Sequence, residues 1–225
     1  MAFIAIAGNI GAGKTTLTDF LCQTHGLTPF FEPNEQNPFL QDFFKDMRQW
    51  AFKSQMFFLT HKFKLHLQLM QHQGTVIQDR TIYEDAEIFA LNLYRMHKIE
   101  PREYGLYREL YESLTRVLRP PDLLIYLNCP MRTTRQRIRL RGRPEEQALP
   151  LNYLKRLQSY YDAWLKRWTM CPVLHIDTSK LDYLGDLLHR LDLIEQIEAY
   201  LDLPDSPPRK HASARERKAA VHMQK

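Results

Sequence analysis

The segment of the sequence best suited to chemistry lies close to the N-terminus and is rich in glycine. Residues 8–15 are GNIGAGKT and fill every fixed position of the pattern G-x-x-x-x-G-K-[ST]. The glycines let the backbone curl so that successive N–H groups point at phosphate oxygens, while Lys14 can reach the outer phosphates and the Thr15 hydroxyl can ligate Mg²⁺. A glycine-rich turn with a chance lysine is the alternative, but an apolar strand precedes the segment and a helical stretch follows it, as a phosphate-binding loop (P-loop) requires. The predicted nucleotide contacts are Gly8, Asn9, Ile10, Gly11, Ala12, Gly13, Lys14, Thr15 and Thr16.

Charged residues follow two further predicted strands. Glu32 comes directly after the strand predicted over 28–31, and Asp79 and Arg80 come directly after the strand predicted over 75–78. Ligands of doubly wound sheets bind at the carboxyl ends of the strands, so these side chains are expected beside the P-loop. Asp79 could act as a general base or bind Mg²⁺, directly or through water, and Arg80 could hold the charge of a transferring phosphate. An ordinary ion pair at a strand end is the other interpretation of Asp79 and Arg80.

A dense run of arginines marks a third candidate region. Six of them fall within residues 132–143, and no acidic residue lies among them: Arg132, Arg135, Arg137, Arg139, Arg141 and Arg143. Arg137 and Arg141 are four residues apart and therefore share a helix face, and Gly142 lets the chain turn away directly afterwards. This pattern predicts a lid that closes over phosphates. The alternative to a lid is a solvent-exposed helix face without a function, although such a face usually carries charges of both signs.

Positioning these residues requires alternating strands and helices. Apolar runs predict five strands, at 3–7, 28–31, 75–78, 123–127 and 173–176. Longer amphipathic runs predict helices at 14–25, 39–72 (as two helices), 84–97, 101–118, 131–140, 151–168 and 182–201. The alternation is typical of βαβ units, so we predict a doubly wound α/β fold with a five-stranded parallel sheet flanked by helices. Residues 1–205 are predicted to form this domain, and the polar, proline-led residues 206–225 a disordered tail.

Composition excludes several classes of protein. The chain has 225 residues, of which 44% are hydrophobic, which suits one globular domain. The tail from Ser206 holds six basic residues and one acidic residue, so it accounts for the whole net charge of +5 and no nucleic-acid partner is expected. A mean hydropathy of -0.46, without an apolar run of membrane-spanning length, predicts no membrane association. Three widely spaced cysteines form neither a disulfide framework nor a metal pattern, which favours a cytoplasmic protein.

Five segments together resemble one enzyme family. GNIGAGKTT, FEPNEQNPF, RQWAFKSQMFFL, QDRTIYED and RIRLRGRPEEQALPLNYLKRL occur in the order, and with the spacing, found in deoxyribonucleoside kinases. The likeness is strongest to bacterial deoxyadenosine and deoxyguanosine kinases and to animal deoxycytidine kinase-like enzymes, and it runs from Phe3 to about Leu201. It implies a P-loop kinase with an arginine-rich lid that uses ATP and Mg²⁺ to phosphorylate the 5'-hydroxyl of a deoxyribonucleoside. A purine deoxyribonucleoside, a role in nucleotide salvage and a homodimeric assembly are also implied.

The resemblance also implies roles for individual residues. Glu32 and Asp79 would form the catalytic pair beside the 5'-hydroxyl, with Asp79 also near the metal that Thr15 ligates, and Arg80 would contact the 5' oxygen. Gln55 and Asp85 would select the base. Glu146 would reach the sugar 3'-hydroxyl. The remaining implied contacts are to the donor phosphates, from Lys14, Arg137, Arg141 and Arg143.

Two positions depart from the family pattern, and two aromatic residues are ambiguous. Phe44 stands where many relatives have a tyrosine near the 3'-hydroxyl, and Lys62 stands where some have a base-contacting arginine, whose planar fork lysine lacks. Trp50 and Phe89 are candidates for stacking on the base, although aromatic side chains at such spacings more often belong to the core.

Two other functions compete with this one. A nucleoside monophosphate kinase of the thymidylate type shares the P-loop and a D-R motif, but Glu32 would repel the phosphate of its acceptor. A noncatalytic subunit with the same fold, docking through its basic tail, is disfavoured because four residues are intact: Lys14, Thr15, Asp79 and Arg80.

Overall fold

A computed structural model describes residues 2–31, 36–179 and 186–201. Its centre is a parallel sheet of five strands: β1 (Phe3–Gly8), β2 (Thr28–Phe30), β3 (Val76–Asp79), β4 (Leu123–Asn128) and β5 (Val173–Asp177). The strand order is β2-β3-β1-β4-β5. β1 is therefore the central strand, with β2 and β3 on one side of it and β4 and β5 on the other. In such sheets the crevice at the carboxyl end of the central strand is the usual ligand site. The P-loop begins at this point.

Helices cover both faces of the sheet. They are α1 (Lys14–His25), α2 (Leu40–Lys45), α3 (Met47–Gln71), α4 (Ile82–Glu84), α5 (Leu91–Arg95), α6 (Pro101–Thr115), α7 (Met131–Arg141), α8 (Pro144–Gln147), α9 (Leu151–Leu165) and α10 (Leu187–Glu198). A π-helical segment, Asp85–Ala90, joins α4 to α5. Such segments inside helices often occur at functional sites.

Local sequence explains where the main helices begin and end. α1 ends at Gly26, which has a left-handed φ of 63° that glycine adopts without strain. α3 begins where the Asp46 side chain accepts hydrogen bonds from the N–H groups of Arg48 and Gln49. Pro101 starts α6 at a position where its missing N–H is not needed.

Residues of β1 alternate between two hydrophobic cores. Phe3, Ala5 and Ala7 pack with side chains of α3, α6 and α9 on one face of the sheet. Ile4 and Ile6 pack with side chains of α1 and α10 on the other face. Because both faces are covered, a strand of this sheet is a continuous apolar run, and every residue of β1 is buried.

The predicted α/β fold with five parallel strands is therefore confirmed. Each strand lies within one residue of its predicted bounds at either end, and the predicted stretch 39–72 does contain two helices, α2 and α3. The proposed boundary at 205 and the tail at 206–225 lie outside the described residues. No helix in the described part of the chain is long and apolar enough to cross a membrane.

Candidate active site

A cavity of about 930 Å³ opens at the carboxyl edge of the sheet, between the P-loop, α2, α3, the π-helical segment and the turn around α8. Most residues predicted for the site line this cavity: Ile10, Gly11, Gly13, Lys14, Thr15, Phe44, Gln55, Asp79, Arg80, Asp85, Phe89, Arg141, Arg143 and Glu146. Others do not line it: Gly8, Asn9, Ala12, Thr16, Trp50, Lys62 and Arg137. Glu32 lies outside the described residues.

Glycine is required at two positions of the P-loop. A Cβ on Gly8, whose φ is +150°, would lie 2.9 Å from the Leu127 carbonyl oxygen. A Cβ on Gly11, whose φ is +77°, would lie 3.0 Å from the carbonyl oxygen of Thr134 in α7. Any side chain at either position would therefore push the loop away from β4 or α7. The loop is held against the end of the sheet with its backbone exposed to the cavity.

Lys14 is folded back on the loop that precedes it. Its Nζ donates hydrogen bonds to the carbonyl oxygens of Gly8 at 2.9 Å and Asn9 at 3.1 Å. The side chain is largely buried, with 7% of its surface exposed. The ammonium group thus sits at the donor end of the cavity, held by backbone oxygens.

Thr15 and Asp79 join the P-loop to the end of β3. The Thr15 hydroxyl donates to Asp79 Oδ2 at 2.7 Å, and Asp79 Oδ1 is buried without a hydrogen-bond partner among the described residues. Mg²⁺ prefers oxygen ligands of this kind, a hydroxyl and a carboxylate, and takes its further ligands from phosphates. One oxygen of the Asp79 carboxylate is not used by Thr15. The two residues predicted to hold Mg²⁺ therefore fit that ion.

Arg80 has an unusual backbone conformation. Its φ is +61°, which is rare for a residue with a side chain. Its N–H donates to the Ile6 carbonyl at 3.1 Å, and its guanidinium lies 4.4 Å from the centroid of the Phe89 ring. Only 9% of the residue is exposed. The surrounding contacts hold both the backbone and the charged group of Arg80 in place.

The far end of the cavity carries the residues predicted to select a base. Gln55 Oε1 is buried and has no hydrogen-bond partner within the described ranges. Asp85 forms an ion pair with Lys62 at 3.1 Å, and Lys62 also donates to the Arg80 carbonyl at 3.1 Å. Lys62 is fully buried behind Asp85 and does not line the cavity. In this arrangement Lys62 acts on the cavity indirectly, by holding the Asp85 carboxylate and the Arg80 carbonyl.

The lid arginines divide into two kinds. Arg141 and Arg143 line the cavity, are partly exposed, and both donate to Glu146 Oε1 at 3.3 Å. The other oxygen, Glu146 Oε2, is buried and has no partner among the residues that the structure describes. Arg137 instead donates to the carbonyl oxygens of Ala12 and Thr178, each at 2.9 Å. Arg137 thus braces the P-loop backbone, and its predicted contact with donor phosphates stays a prediction.

The aromatic candidates also divide. Phe44 and Phe89 line the cavity. Trp50 stacks on Phe39 with ring centroids 5.9 Å apart, and Lys53 Nζ lies 4.1 Å from the Trp50 ring centroid. The core interpretation therefore suits Trp50 better than the stacking one, while Phe89 lines the cavity and packs against the Arg80 guanidinium.

Comparison with known proteins identifies the family. The model of the deoxynucleoside kinase family matches residues 4–202, which is most of the chain. The chain belongs to the deoxynucleoside kinase family. A deoxyadenosine/deoxycytidine kinase of Bacillus subtilis is 32% identical over 89% of this chain and 93% of its own length. A deoxyguanosine kinase of Lactobacillus johnsonii is 34% identical over the same shares, 89% and 93%.

A solved structure gives the same result for the fold. The deoxyadenosine kinase of M. mycoides with dCMP and dCDP bound superposes with a TM-score of 0.77 at 30% identity, covering 88% of this chain and 100% of that one. The predicted class, an ATP-dependent kinase that phosphorylates deoxynucleosides, is thereby confirmed. Membership also favours a nucleoside acceptor over the monophosphate of a thymidylate-type kinase.

The sequence analysis of this deoxynucleoside kinase missed residues beneath the cavity. Glu84 in α4 and Tyr161 in α9 are fully buried and contact the first P-loop residue. Burial raises the pKa of the Glu84 carboxyl, whereas the positive charges of Arg80, Lys14 and Lys62 lower it. Thr81-x-x-Glu84 has the spacing of a helix capping box, which was the available sequence signal. Tyr161 gave no signal, since an aromatic residue in an amphipathic helix predicts only core.

Proposed function

We propose that this deoxynucleoside kinase moves the γ-phosphoryl group of ATP to the 5'-hydroxyl of a purine deoxyribonucleoside. The observation that carries the proposal is the 2.7 Å contact between Thr15 and Asp79, because it brings the phosphate loop and the candidate base into one cavity. Donor phosphates would occupy the P-loop end. The nucleoside would lie between Asp79 and the buried pair at Asp85.

The donor would be held mainly by backbone N–H groups of the P-loop and by Lys14. Arg141 and Arg143 would leave Glu146 and turn to the phosphates as the lid closes, since both are partly exposed and sit at the cavity edge. This exchange would place positive charge where the transferring group carries its negative charge. Glu146 would then be free to accept from the sugar 3'-hydroxyl.

Thr15 and Asp79 would hold Mg²⁺ when the nucleotide binds, because their oxygens suit that ion. Once bound, the ion would neutralise part of the charge on the donor phosphates. The protein's own contribution at this point is to fix both oxygens against the P-loop. Asp79 Oδ1 would be the oxygen left for the ion, since Oδ2 already accepts from Thr15.

At the acceptor, Glu32 and Asp79 are the two candidates for accepting the proton of the 5'-hydroxyl. Arg80 would contact the 5' oxygen, because its guanidinium is fixed over Phe89 and faces the same cavity. The chemistry would then consist of positioning and charge stabilisation, as in other phosphoryl transfers. No covalent intermediate on the protein is needed.

Base recognition would fall to Gln55 and Asp85. The Gln55 amide offers both a donor and an acceptor, and a carboxylate held by Lys62 accepts only, so together they suit a base edge with an exocyclic amino group. Adenine carries such a group, and relatives named deoxyadenosine and deoxyguanosine kinases support a purine. Phe89 would stack on the ring.

A direct assay tests the proposal. Labelled ATP with Mg²⁺ is offered with each of the four deoxyribonucleosides and their monophosphates, and deoxyadenosine or deoxyguanosine should be the best acceptor. Preferred turnover of deoxycytidine or thymidine would refute the purine assignment. Faster turnover of dTMP than of any nucleoside would make the protein a monophosphate kinase, and no turnover at all would favour the noncatalytic subunit.

We also propose that the protein works as a homodimer in the cytoplasm. The three cysteines, Cys22, Cys129 and Cys171, are all free thiols, as a reducing compartment maintains. The dimer rests on the family resemblance. Light scattering behind size exclusion should give twice the chain mass of 26.8 kDa, and a monomeric mass would refute the assembly.

A further inference from the structure

A single buried carboxylate connects the two ends of the cavity. Glu84 Oε1 accepts a hydrogen bond from the Gly8 N–H at 3.3 Å, and Glu84 Oε2 accepts one from the Thr81 N–H at 3.0 Å. Gly8 opens the P-loop, and Thr81 directly follows Arg80. The same side chain is thus bonded to the backbone of the donor end and to the backbone of the acceptor end.

Tyr161 completes the contact on the donor side. Its hydroxyl lies 2.8 Å from Glu84 Oε1 and 2.9 Å from the Gly8 carbonyl oxygen, so it donates its one proton to one of these two acceptors. Gly8 O also accepts from Lys14 Nζ. Gly8, whose carbonyl accepts from the P-loop lysine, is therefore held by Glu84 at its N–H and contacted by Tyr161 at its carbonyl.

Positive charges of the site surround the Glu84 carboxylate. Glu84 has no exposed surface, and an unpaired buried charge of this kind would be costly. The positive charges that stabilise it are those of Arg80 and Lys14, which line the cavity, and of Lys62, which lies behind Asp85. Two backbone N–H groups and three nearby positive charges therefore suit a carboxylate at this position better than an apolar core residue.

We propose that Glu84 is a positioning residue that couples the P-loop to the Asp79–Arg80 turn, with Tyr161 as its partner on the donor side. The inference rests on the proposed function, since it concerns how donor and acceptor are aligned for transfer. One backbone bond of Glu84 ends on Gly8, whose carbonyl accepts from Lys14, and the other ends on Thr81, which follows Arg80. A displacement of either end is therefore transmitted through one rigid carboxylate.

Two tyrosine variants separate positioning from stability. Tyr161→Phe removes a hydroxyl that bonds to the P-loop, while Tyr107→Phe removes an equally buried hydroxyl that has no hydrogen-bond partner within the described residues. We expect Tyr161→Phe to raise the KM for ATP by about two- to twelvefold, the equivalent of one hydrogen bond, and to raise the KM for the nucleoside by a smaller factor through Glu84. Tyr107→Phe should change neither constant. If both variants give the same KM for ATP, the proposal is overturned, whatever their melting temperatures.

Glu84→Gln then tests the coupling itself. The amide keeps the shape but can accept from only one of the two backbone N–H groups, so one of the two bonds is lost. If the side chain couples the two ends, the loss of one bond should loosen both. We expect the KM for ATP and the KM for the deoxynucleoside to rise together and kcat to fall by about tenfold or more. A change confined to one substrate would refute the coupling. If Glu84→Gln does not fold, the comparison of Tyr161→Phe with Tyr107→Phe still tests the proposal. An inactive wild-type protein would count against the proposed function rather than against this inference.

Discussion

The buried pair of Lys62 and Asp85 gives the sharpest prediction about stability. Lys62 Nζ lies 3.1 Å from Asp85 Oδ1, and their side chains are 0% and 4% exposed. At that separation the attraction is about 5 kcal/mol with an effective dielectric constant of about 20. Desolvation of both ions offsets much of this gain, so the intact pair need not stabilise the fold by that amount.

Removing one member of the pair has a different effect, because the buried charge that remains loses its ion-pair partner. Lys62→Met should lower the free energy of unfolding by about 3–5 kcal/mol, measured by urea denaturation. The double variant Lys62→Met with Asp85→Asn removes both charges and should recover most of that loss. Lys62→Met should also weaken nucleoside binding more than ATP binding, since Asp85 lines the far end of the cavity.

A surface pair provides the matched control. Lys45 and Asp42 lie 3.4 Å apart, with side chains 75% and 44% exposed. Lys45→Met should therefore change stability by less than about 1 kcal/mol. If Lys62→Met costs no more than Lys45→Met, or if the double variant is as unstable as the single one, the buried pair does not fix Asp85 and the reasoning fails.

Four further predictions concern activity. Lys14→Ala should fold normally and lose almost all turnover, and more than half of wild-type activity in a steady-state assay would contradict the role of the P-loop. Phe44→Tyr should strengthen binding of 2'-deoxynucleosides by about 0.5–1.5 kcal/mol and leave 2',3'-dideoxynucleosides unchanged, because one hydrogen bond to the 3'-hydroxyl is added. Glu146→Gln should lower kcat/KM for deoxynucleosides more than for dideoxynucleosides, and equal losses would show that Glu146 does not face the 3' position. Truncation after Asp205 should keep turnover within about twofold, so a large loss would place the tail in the mechanism.

The parts of the site that sequence could predict are those built from short-range patterns. The P-loop is a strand, a glycine-rich turn and a helix in direct succession, so motif and context lie within about 25 residues. Asp79 and Arg80 follow a strand whose apolar run is equally local. Their position beside the P-loop follows from one rule about parallel sheets.

The parts that sequence could not predict depend on contacts between distant segments. Arg137 binds the Ala12 carbonyl 125 residues away, and Lys62 meets Asp85 only because α3 packs against the π-helical segment. An arginine on a lid helix and a lysine in a long helix both suggest solvent or ligand when only spacing is known. In the folded protein the arginine binds the P-loop backbone and the lysine binds a buried carboxylate.

The turn after β3 shows how local strain serves the site. Successive residues of a strand point to opposite faces, so Asp79 and Arg80 would not share a cavity if β3 simply continued. The φ of +61° at Arg80 ends the strand and redirects the chain, at a cost of about 1–3 kcal/mol for a residue with a side chain. The bonds from Arg80 N to Ile6 and from Lys62 to the Arg80 carbonyl, with the Thr81 N–H held by Glu84, offset that cost. The strained residue is thus fixed from both sides, which lets a carboxylate and a guanidinium adjacent in sequence line the same cavity.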